Sequence, residues 1–336
     1  MRLPGASPGV ERSSVRVDIV VFGSLNVDFV VRAPVRPRAG ETVRGWGFQL
    51  FPGGKGANQA VAAARAGGRV VMAGRVGEDA FKDILLRSLK EAGVDARLVE
   101  VTPGTETGSA FITVDDAGQN SIVIVPGANA RCSAEDVERV RPLLSAAKVL
   151  MLQLEIPMEA VEMAARTASA SGVKVLLDPA PAMEMPESLW ESVDVITPNE
   201  HEAAFLTGHE ISDFPEAERA AAALLNRGPR WVVVKMGSRG AVSAYRNSSG
   251  GVIFRRFPAF SVPVVDATAA GDAFAGGLAV ALCEGKDWDE AIRFASATAA
   301  LSVTKPGAQT SMPSREEIDA FLRQRGASDL SPSGRG

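Results

Sequence analysis

Short apolar runs rich in Val, Ile and Leu alternate along this chain with amphipathic stretches, and that alternation narrows the available folds more than any other feature. A run apolar at successive positions suits a strand covered on both faces, and strands joined through helices pair in parallel. Segments 16–22, 69–76, 148–154, 173–177, 194–197 and 231–235 read as such strands. A helix follows the second, with Phe81, Ile84, Leu85 and Leu89 on one face and Gly93 as its stop. Pro157 suits the first turn of another helix, and further helices are expected at 271–283, 288–303 and 314–325. The expected fold class is α/β, a central mostly parallel sheet flanked by helices.

Two stretches break the alternation. Segment 30–50 has β-like residues and turns but no helix, and 108–125 reads as a hairpin turning at 115–120. Together they form either a small sheet standing off the main one or two peripheral hairpins. Trp46, Phe48 and Phe51 are then core residues of that sheet or contacts with a partner. No internal repeat or inter-domain linker is visible, so one domain is expected over 17–326, between loose tails at 1–16 and 327–336.

With 336 residues and 46% apolar content, the chain can bury a large core. A net charge of −4 argues against a nucleic-acid or membrane-surface partner. No apolar run approaches the roughly 18 residues of a membrane span. Segment 1–16 lacks the apolar stretch of a secretory signal, so a cytoplasmic location is expected. Cys132 and Cys283 are too few for a disulfide framework and are expected as small apolar residues near packed helices. With only His201 and His209, a His-based triad or zinc site is not expected.

Two segments carry chemistry. Asp266-Ala-Thr-Ala-Ala-Gly-Asp272 leads into a helix, whose first amides lack internal partners and whose N-terminus is electropositive. Small residues at Ala269, Ala270 and Gly271 let an anion such as phosphate approach, with Asp272 beside it to deprotonate a hydroxyl. The plainer reading is an Asp cap at a small-residue turn. The other segment, Phe51-Pro-Gly-Gly-Lys-Gly-Ala-Asn-Gln59, precedes an Ala-rich helix. It is not a Walker A loop, since Gly56 rather than Ser or Thr follows Lys55. Gly23-Ser-Leu-Asn-Val-Asp28 lacks the dinucleotide fingerprint, which disfavours a dehydrogenase. Asn26 and Asp28 suit sugar hydroxyls or an Asx turn after the first strand.

These two segments, Gly23–Asp28 and Thr197-Pro-Asn-Glu200 together resemble the ribokinase-like, or PfkB, carbohydrate kinases, in that family's order from about residue 18 to 325. Met151-Leu-Gln-Leu-Glu155, Asp178-Pro-Ala-Pro181, Gly237-Ser-Arg-Gly240 and Gly307-Ala-Gln309 are similar to the members that act on ribose. The resemblance implies ATP-dependent phosphorylation of D-ribose at O5, with Asp272 as base and the amides of 269–271 as anion hole. It implies sugar contacts at Asn26, Val27, Asp28, Gly54, Lys55, Gly56, Ala57, Asn58 and Glu155, besides Asp272 itself. Nucleotide contacts fall at Asn199, Lys235, Met236, Gly237, Ser238, Arg239, Gly240, Gly271, Asp272 and Ser296. Magnesium is reached through water by Glu202. A monovalent cation, K+, takes Asp266, Thr268, Ser302, Lys305, Gly307 and Ser311, with Ala267 standing where the family usually has Thr, Ser, Pro or Val. The small sheet becomes a lid over the sugar that also clasps a second subunit as a homodimer. The competing readings are a deoxyribose or adenosine kinase of the same family and a non-catalytic sugar-binding protein on the same fold.

Overall fold

The computed structural model describes residues 17–329, and the tail expected at 1–16 lies outside them. In chain order the strands are β1 Ile19–Phe22, β2 Asn26–Arg32, β3 Gly47–Gly53, β4 Val70–Gly77, β5 Asp95–Thr102, β6 Gly108–Val114 and β7 Asn120–Val125, followed by β8 Val149–Leu152, β9 Lys174–Leu177, β10 Val195–Ile196, β11 Trp231–Lys235, β12 Ala241–Arg246 and β13 Val252–Phe257. The helices are α1 Lys55–Arg65, α2 Phe81–Glu91, α3 Ala134–Leu144, α4 Met158–Ala170, α5 Glu187–Ser192, α6 Glu200–Thr207, α7 Phe214–Leu225, α8 Ala270–Glu284, α9 Trp288–Ser302 and α10 Arg315–Asp329. The last continues past the expected end at 325, and residues 330–336 lie outside the described set.

A large sheet has the order β13-β12-β11-β10-β9-β8-β1-β4-β5 and is parallel from β11 to β5. Only β12 and β13 run antiparallel. Alternate residues feed opposite cores. Val20, Phe22, Leu150 and Leu152 pack with α3, α4 and α7, whereas Ile19, Val21, Val149 and Met151 pack with α1, α8 and α9. Both faces are thus buried, which is why these strands read as unbroken apolar runs. Strands β5, β12 and β13 were not expected. β5 and β13 are the edge strands, where charges such as Arg97, Glu100, Arg255 and Arg256 interrupt the apolar pattern, and β12 is short and rich in small residues. Among the described residues no helix is long and apolar enough to cross a membrane. Cys132 is buried and Cys283 half-buried, both as free thiols.

The second sheet, β3-β2-β6-β7, unites the two stretches that broke the alternation. The hairpin β6–β7 turns where expected, with Asp115 Oδ1 accepting from the amides of Ala117 and Gln119 at 3.1 and 2.8 Å. β2 begins at Asn26 and pairs antiparallel with β3 and parallel with β6. The chain therefore passes from the large sheet to the small one within Gly23–Leu25. Asn26 and Asp28 are strand residues of the small sheet, not members of a turn.

Candidate active site

β1 lies at the sheet's switch point: the next strand of the large sheet, β4, is on one side of it, and β8 on the other. Crevices open beyond the C-terminal ends of parallel strands at such a point. The start of β2, the N-termini of α1 and α8, and the segments after β8, β9 and β11 converge there.

Asn26 is 4% exposed, and its Oδ1 accepts from Asn129 Nδ2 at 2.7 Å. Val27 is fully buried and turns away into the core, so it can offer a ligand only its backbone. Asp28 sits beside Gly53 on the neighbouring strand, where any Cβ would strike its carboxylate. Burial, then the nearby Glu155 and Asp272, push the Asp28 carboxyl up to about 7. Glu155, three residues beyond β8, accepts from Ser24 Oγ at 2.5 Å and from the Lys55 amide at 3.0 Å. It thereby ties the first turn of α1, with Gly54, Gly56 and Ala57, to the β1–β2 connection. Burial lowers the proton affinity of the Lys55 ammonium, but Asp272, Asp178, Glu155 and Glu202 outweigh it and hold that group above the ordinary lysine value.

Asp272 is the third residue of α8 and 4% exposed. Its Oδ2 accepts from Asn58 Nδ2 at 3.0 Å and its Oδ1 from Gln59 Nε2 at 3.1 Å. Burial dominates in pushing this carboxyl up to about 6, with Lys55 opposing and Asp178 adding to the shift. Asn58, expected to face a polyol, is committed on both sides, since its Oδ1 accepts from Gln309 Nε2 at 3.2 Å. Ala269 caps α8 at φ 59°, the sole non-glycine positive φ among the described residues. An alanine there costs roughly 1–3 kcal/mol, which the surrounding packing must offset. The Ala270 amide already donates to Ala267 O at 3.3 Å.

The expected nucleotide residues divide. Lys235 Nζ donates to Asp178 Oδ1 at 2.7 Å. Gly237–Arg239 form a short 3-10 turn closed by the Met236 amide on Gly240 O, with Met236 buried and Gly237 and Ser238 exposed. Arg239 Nη2 donates to Glu200 at 2.7 Å. Asn199 and Glu202 form a reciprocal cap on α6: the Glu202 amide donates to Asn199 Oδ1, and Asn199 N and Nδ2 donate to the two Glu202 oxygens, at 2.8, 2.8 and 2.9 Å. Ser296 lines a cavity of about 480 Å³ with Phe257, Pro258 and Phe260, and none of the lining residues belongs to the groups around Asp272.

Of the expected cation positions, Asp266, Thr268 and Gly307 are joined by hydrogen bonds. Asp266 Oδ1 accepts from the Thr268 amide and hydroxyl at 2.9 and 2.7 Å, and Oδ2 from the Gly307 amide at 2.9 Å. Burial opposes ionisation of this carboxyl, but those hydrogen bonds outweigh it and hold it below the usual range. Ser302 and Ser311 hydroxyls donate to Ala299 O and Ala308 O, and the Lys305 side chain turns out to Glu317 at 2.6 Å.

Several buried polar residues were missed. Gln59, Ser24 and Gln309 lay inside quoted motifs, and Asp178 opened one, but nothing in a one-dimensional pattern marks which member turns inward. Asn129 carried no signal at all. Only the fold brings it back to Leu25, whose N–H it accepts at 2.9 Å.

The raised Asp28 carboxyl has a consequence for stability. Its folded value lies above its unfolded one, so its stabilising effect is complete below about pH 4 and is lost as pH rises through about 7. Asp28→Asn should therefore gain stability over the parent at pH 8, by about 4 kcal/mol at most at roughly 1.4 kcal/mol per unit. The gain should fade on acidification to pH 4. Thermal melts of both proteins across that range test this, and a gain that does not vary with pH would contradict it.

The profile of the pfkB family carbohydrate kinases matches residues 16–315. A ribokinase from Haemophilus influenzae is 41% identical over 308 residues, covering 92% of this chain and 99% of that protein. A deoxyribokinase from Salmonella typhi is 38% identical over 307 residues, covering 91% and 99%. Among solved structures, Arabidopsis thaliana ribokinase complexed with ribose and ATP superposes with a TM-score of 0.83 at 35% identity, covering 91% of this chain and 99% of that one. A profile match across most of the chain and near-full-length relatives on the same two-sheet frame lead to one assignment: this chain belongs to the pfkB family of carbohydrate kinases.

Proposed function

We propose that this chain transfers the γ-phosphoryl group of ATP to O5 of D-ribose, giving D-ribose 5-phosphate and ADP. The observation that carries the reading is the buried Asp272 carboxyl in the first turn of α8, flanked by the polar residues of β2 on one side and by Lys235 on the other. In this reading O5 attacks the γ-phosphorus, the new O–P bond forms as the bond to the bridging oxygen breaks, and ADP leaves with that electron pair. The O5 proton passes to Asp272. A carboxyl raised to about 6 remains ionised at neutral pH yet is a stronger base than an ordinary aspartate. The amides of Ala269, Ala270 and Gly271 meet the phosphate charge at the positive end of α8. Asn26, Asp28, Glu155 and the backbone of 54–58 take the sugar hydroxyls, and Asn199 with 235–240 and Ser296 takes the nucleotide.

The donor sets fit the expected ions. Both Glu202 oxygens are engaged by Asn199, and burial pushes its carboxyl up, so it suits magnesium through water rather than by direct ligation. Magnesium, when bound, neutralises charge on the phosphate oxygens. Asp266 keeps lone pairs beyond its three hydrogen bonds, and with the Ser311 hydroxyl and the main-chain oxygens of Thr268, Ser302, Lys305 and Gly307 it offers the all-oxygen set a potassium ion needs. The exposed Phe48, Phe111, Ile122, Val123 and Ile124 of the small sheet favour its use as the contact of a homodimer. We place the enzyme in the cytoplasm.

A second reading, phosphorylation of 2-deoxyribose, is favoured by the deoxyribokinase relative. An ADP-release assay with pentoses, hexoses and nucleosides separates the two. A site that bonds the 2-hydroxyl should prefer ribose by up to about 10⁴-fold in kcat/KM. Equal or better use of 2-deoxyribose or of a nucleoside would overturn the ribose reading, and ribose binding without ADP release would indicate a non-catalytic binding protein. Turnover should be higher in potassium than in sodium, and equal rates would count against the Asp266 loop as a cation site.

A further inference from the structure

Beneath the base runs a buried polar chain whose members Asp178 and Gln59 the mechanism above does not use. Asp178, 2% exposed, accepts from Lys235 Nζ through Oδ1 at 2.7 Å and from Gln59 Nε2 through Oδ2 at 3.0 Å. The same Gln59 amide group gives its other hydrogen to Asp272 at 3.1 Å. Gln59 is fully buried and cannot turn over without loss, because its Oε1 already accepts from Gln153 Nε2 at 2.6 Å. Gln153 keeps this orientation although its own Oε1 has no partner among the described residues. At the far end of the chain, the Lys235 ammonium lies against the N-terminus of α8: a Cβ on Gly271 would sit 3.2 Å from Nζ.

We propose that Asp178 is a positioning residue, which pins the Lys235 ammonium over the first turn of α8 as the cation that meets the transferred phosphoryl group, and through Gln59 orients the carboxylate of Asp272. The proposal rests on the phosphoryl-transfer reading and deepens it. A buried ion pair is a poor device for stability, since desolvating two charges consumes most of their attraction. Its side chains are only 14% and 3% exposed for Lys235 and Asp178, and a polyanion docking at α8 gives the placement a reason. Lysine is a compact point charge on a flexible stem. Without a fixed anion at its tip, such a stem would be free to leave the first turn of α8. Asp178 holds it on the nucleotide side instead. The charged residues acting on Asp272 are Lys55, Asp178 and Asp28, with Lys235 against the adjacent Gly271, and of these Asp178 raises the Asp272 carboxyl while Lys55 lowers it.

The test is a double-mutant cycle of Asp178→Asn and Lys235→Met, with ribose, ATP and magnesium and with melting curves for each protein. Lys235→Met should lower kcat by about 10²–10³-fold, as for loss of one charge-stabilising donor at a transition state, with the ribose KM changed less than about threefold. Asp178→Asn also sets an amide hydrogen against the Gln59 donor, so it should lower kcat as well. Its acid limb in the kcat/KM–pH profile should move to lower pH, because a negative neighbour of Asp272 is gone. The double variant should be slower than Lys235→Met alone, through the lost Gln59 arm, yet faster than the product of the two single effects, since the Lys235 arm is removed twice. Multiplying effects would overturn the Lys235 arm, and an unmoved acid limb the arm through Gln59. Near-parental kcat in Lys235→Met would also overturn the Lys235 arm, and that test stands even if Asp178→Asn does not fold. A parent protein that releases no ADP with any sugar or nucleoside would sink the kinase reading instead, which keeps the two failures apart.

Discussion

Asp272→Asn is expected to leave a folded protein whose kcat is lower by about 10²–10⁴-fold, the range over which a well-placed general base acts. Both carboxylate oxygens now accept, from Asn58 and Gln59. Asparagine supplies one acceptor, so its amide faces one of those donors, at a cost of about 1–3 kcal/mol. Against this, the variant no longer buries a charge. The shift of the carboxyl from 3.8 to about 6 corresponds to at most about 3 kcal/mol of destabilisation above pH 6. The two terms are similar and opposite, so Tm at pH 7.5 should stay within a few degrees of the parent. Since Asp272 also borders the sugar site, the ribose KM is to be measured alongside. Loss of kcat at saturating ribose identifies the base, whereas a changed KM with near-parental kcat would reassign Asp272 to binding.

Gly54→Ala is expected to be the most damaging single-methyl change at the site. Gly54 has φ +88° and caps α1, and its Cβ would lie 2.7 Å from Asn26 N and 2.9 Å from both Leu25 Cα and Ser24 O. Every one of these atoms is main chain of the β1–β2 connection, so no side-chain rotation relieves the contact. Left-handed strain alone costs roughly 1–3 kcal/mol, and the clash places the total at about 3 kcal/mol or more. Relief requires the connection and the start of α1 to separate, which carries Asn26, Asp28 and Lys55 away from Asp272. A displacement near 1 Å is enough for about 10²-fold in rate, so the ribose kcat/KM should fall at least that far. Gly67→Ala is the control. Gly67 has φ +101°, but its Cβ would meet only the flexible Arg315 side chain at 3.4 Å. It should cost stability and leave the ribose KM unchanged. A Gly54→Ala enzyme with parental kcat/KM would show that the connection is not the hinge of the site.

Much of the fold was legible in the chain itself, for physical reasons that differ by element. Strands β1 and β8 are buried throughout and β4 and β11 at all but Arg75, Trp231 and Lys235, so composition alone marks them. Helix α8 announces its start through small residues and an acid at its positive end. Strands β5 and β13 escaped because each lies at an edge of the sheet with charged residues that erase the pattern, and β12 because its buried residues are mostly small, Ala241, Ser243 and Ala244. The start of β2 escaped because Gly23–Leu25 looks like the turn after a strand, although the chain goes directly on into a second sheet.

The site divides in the same way. Which chemistry is present can be read along the chain: an acid at a helix start, glycines that let main chains approach, and the Asn, Asp and Glu residues that sort the chain into its family. Which of those groups meet follows from the folded arrangement alone. Asp178 and Lys235 are 57 residues apart, and Gln59 and Asp272 are 213 apart, yet they form one hydrogen-bonded layer. Asn58, by contrast, is spent on Asp272 and Gln309. Periodicity and local chemistry act over a few residues and can be read along the chain. Burial, which raises Asp28 and Asp272 and so gives the carboxylates their strength as bases, comes from elements that are distant in sequence, and it exists only once two sheets and two helix ends have closed around the same point.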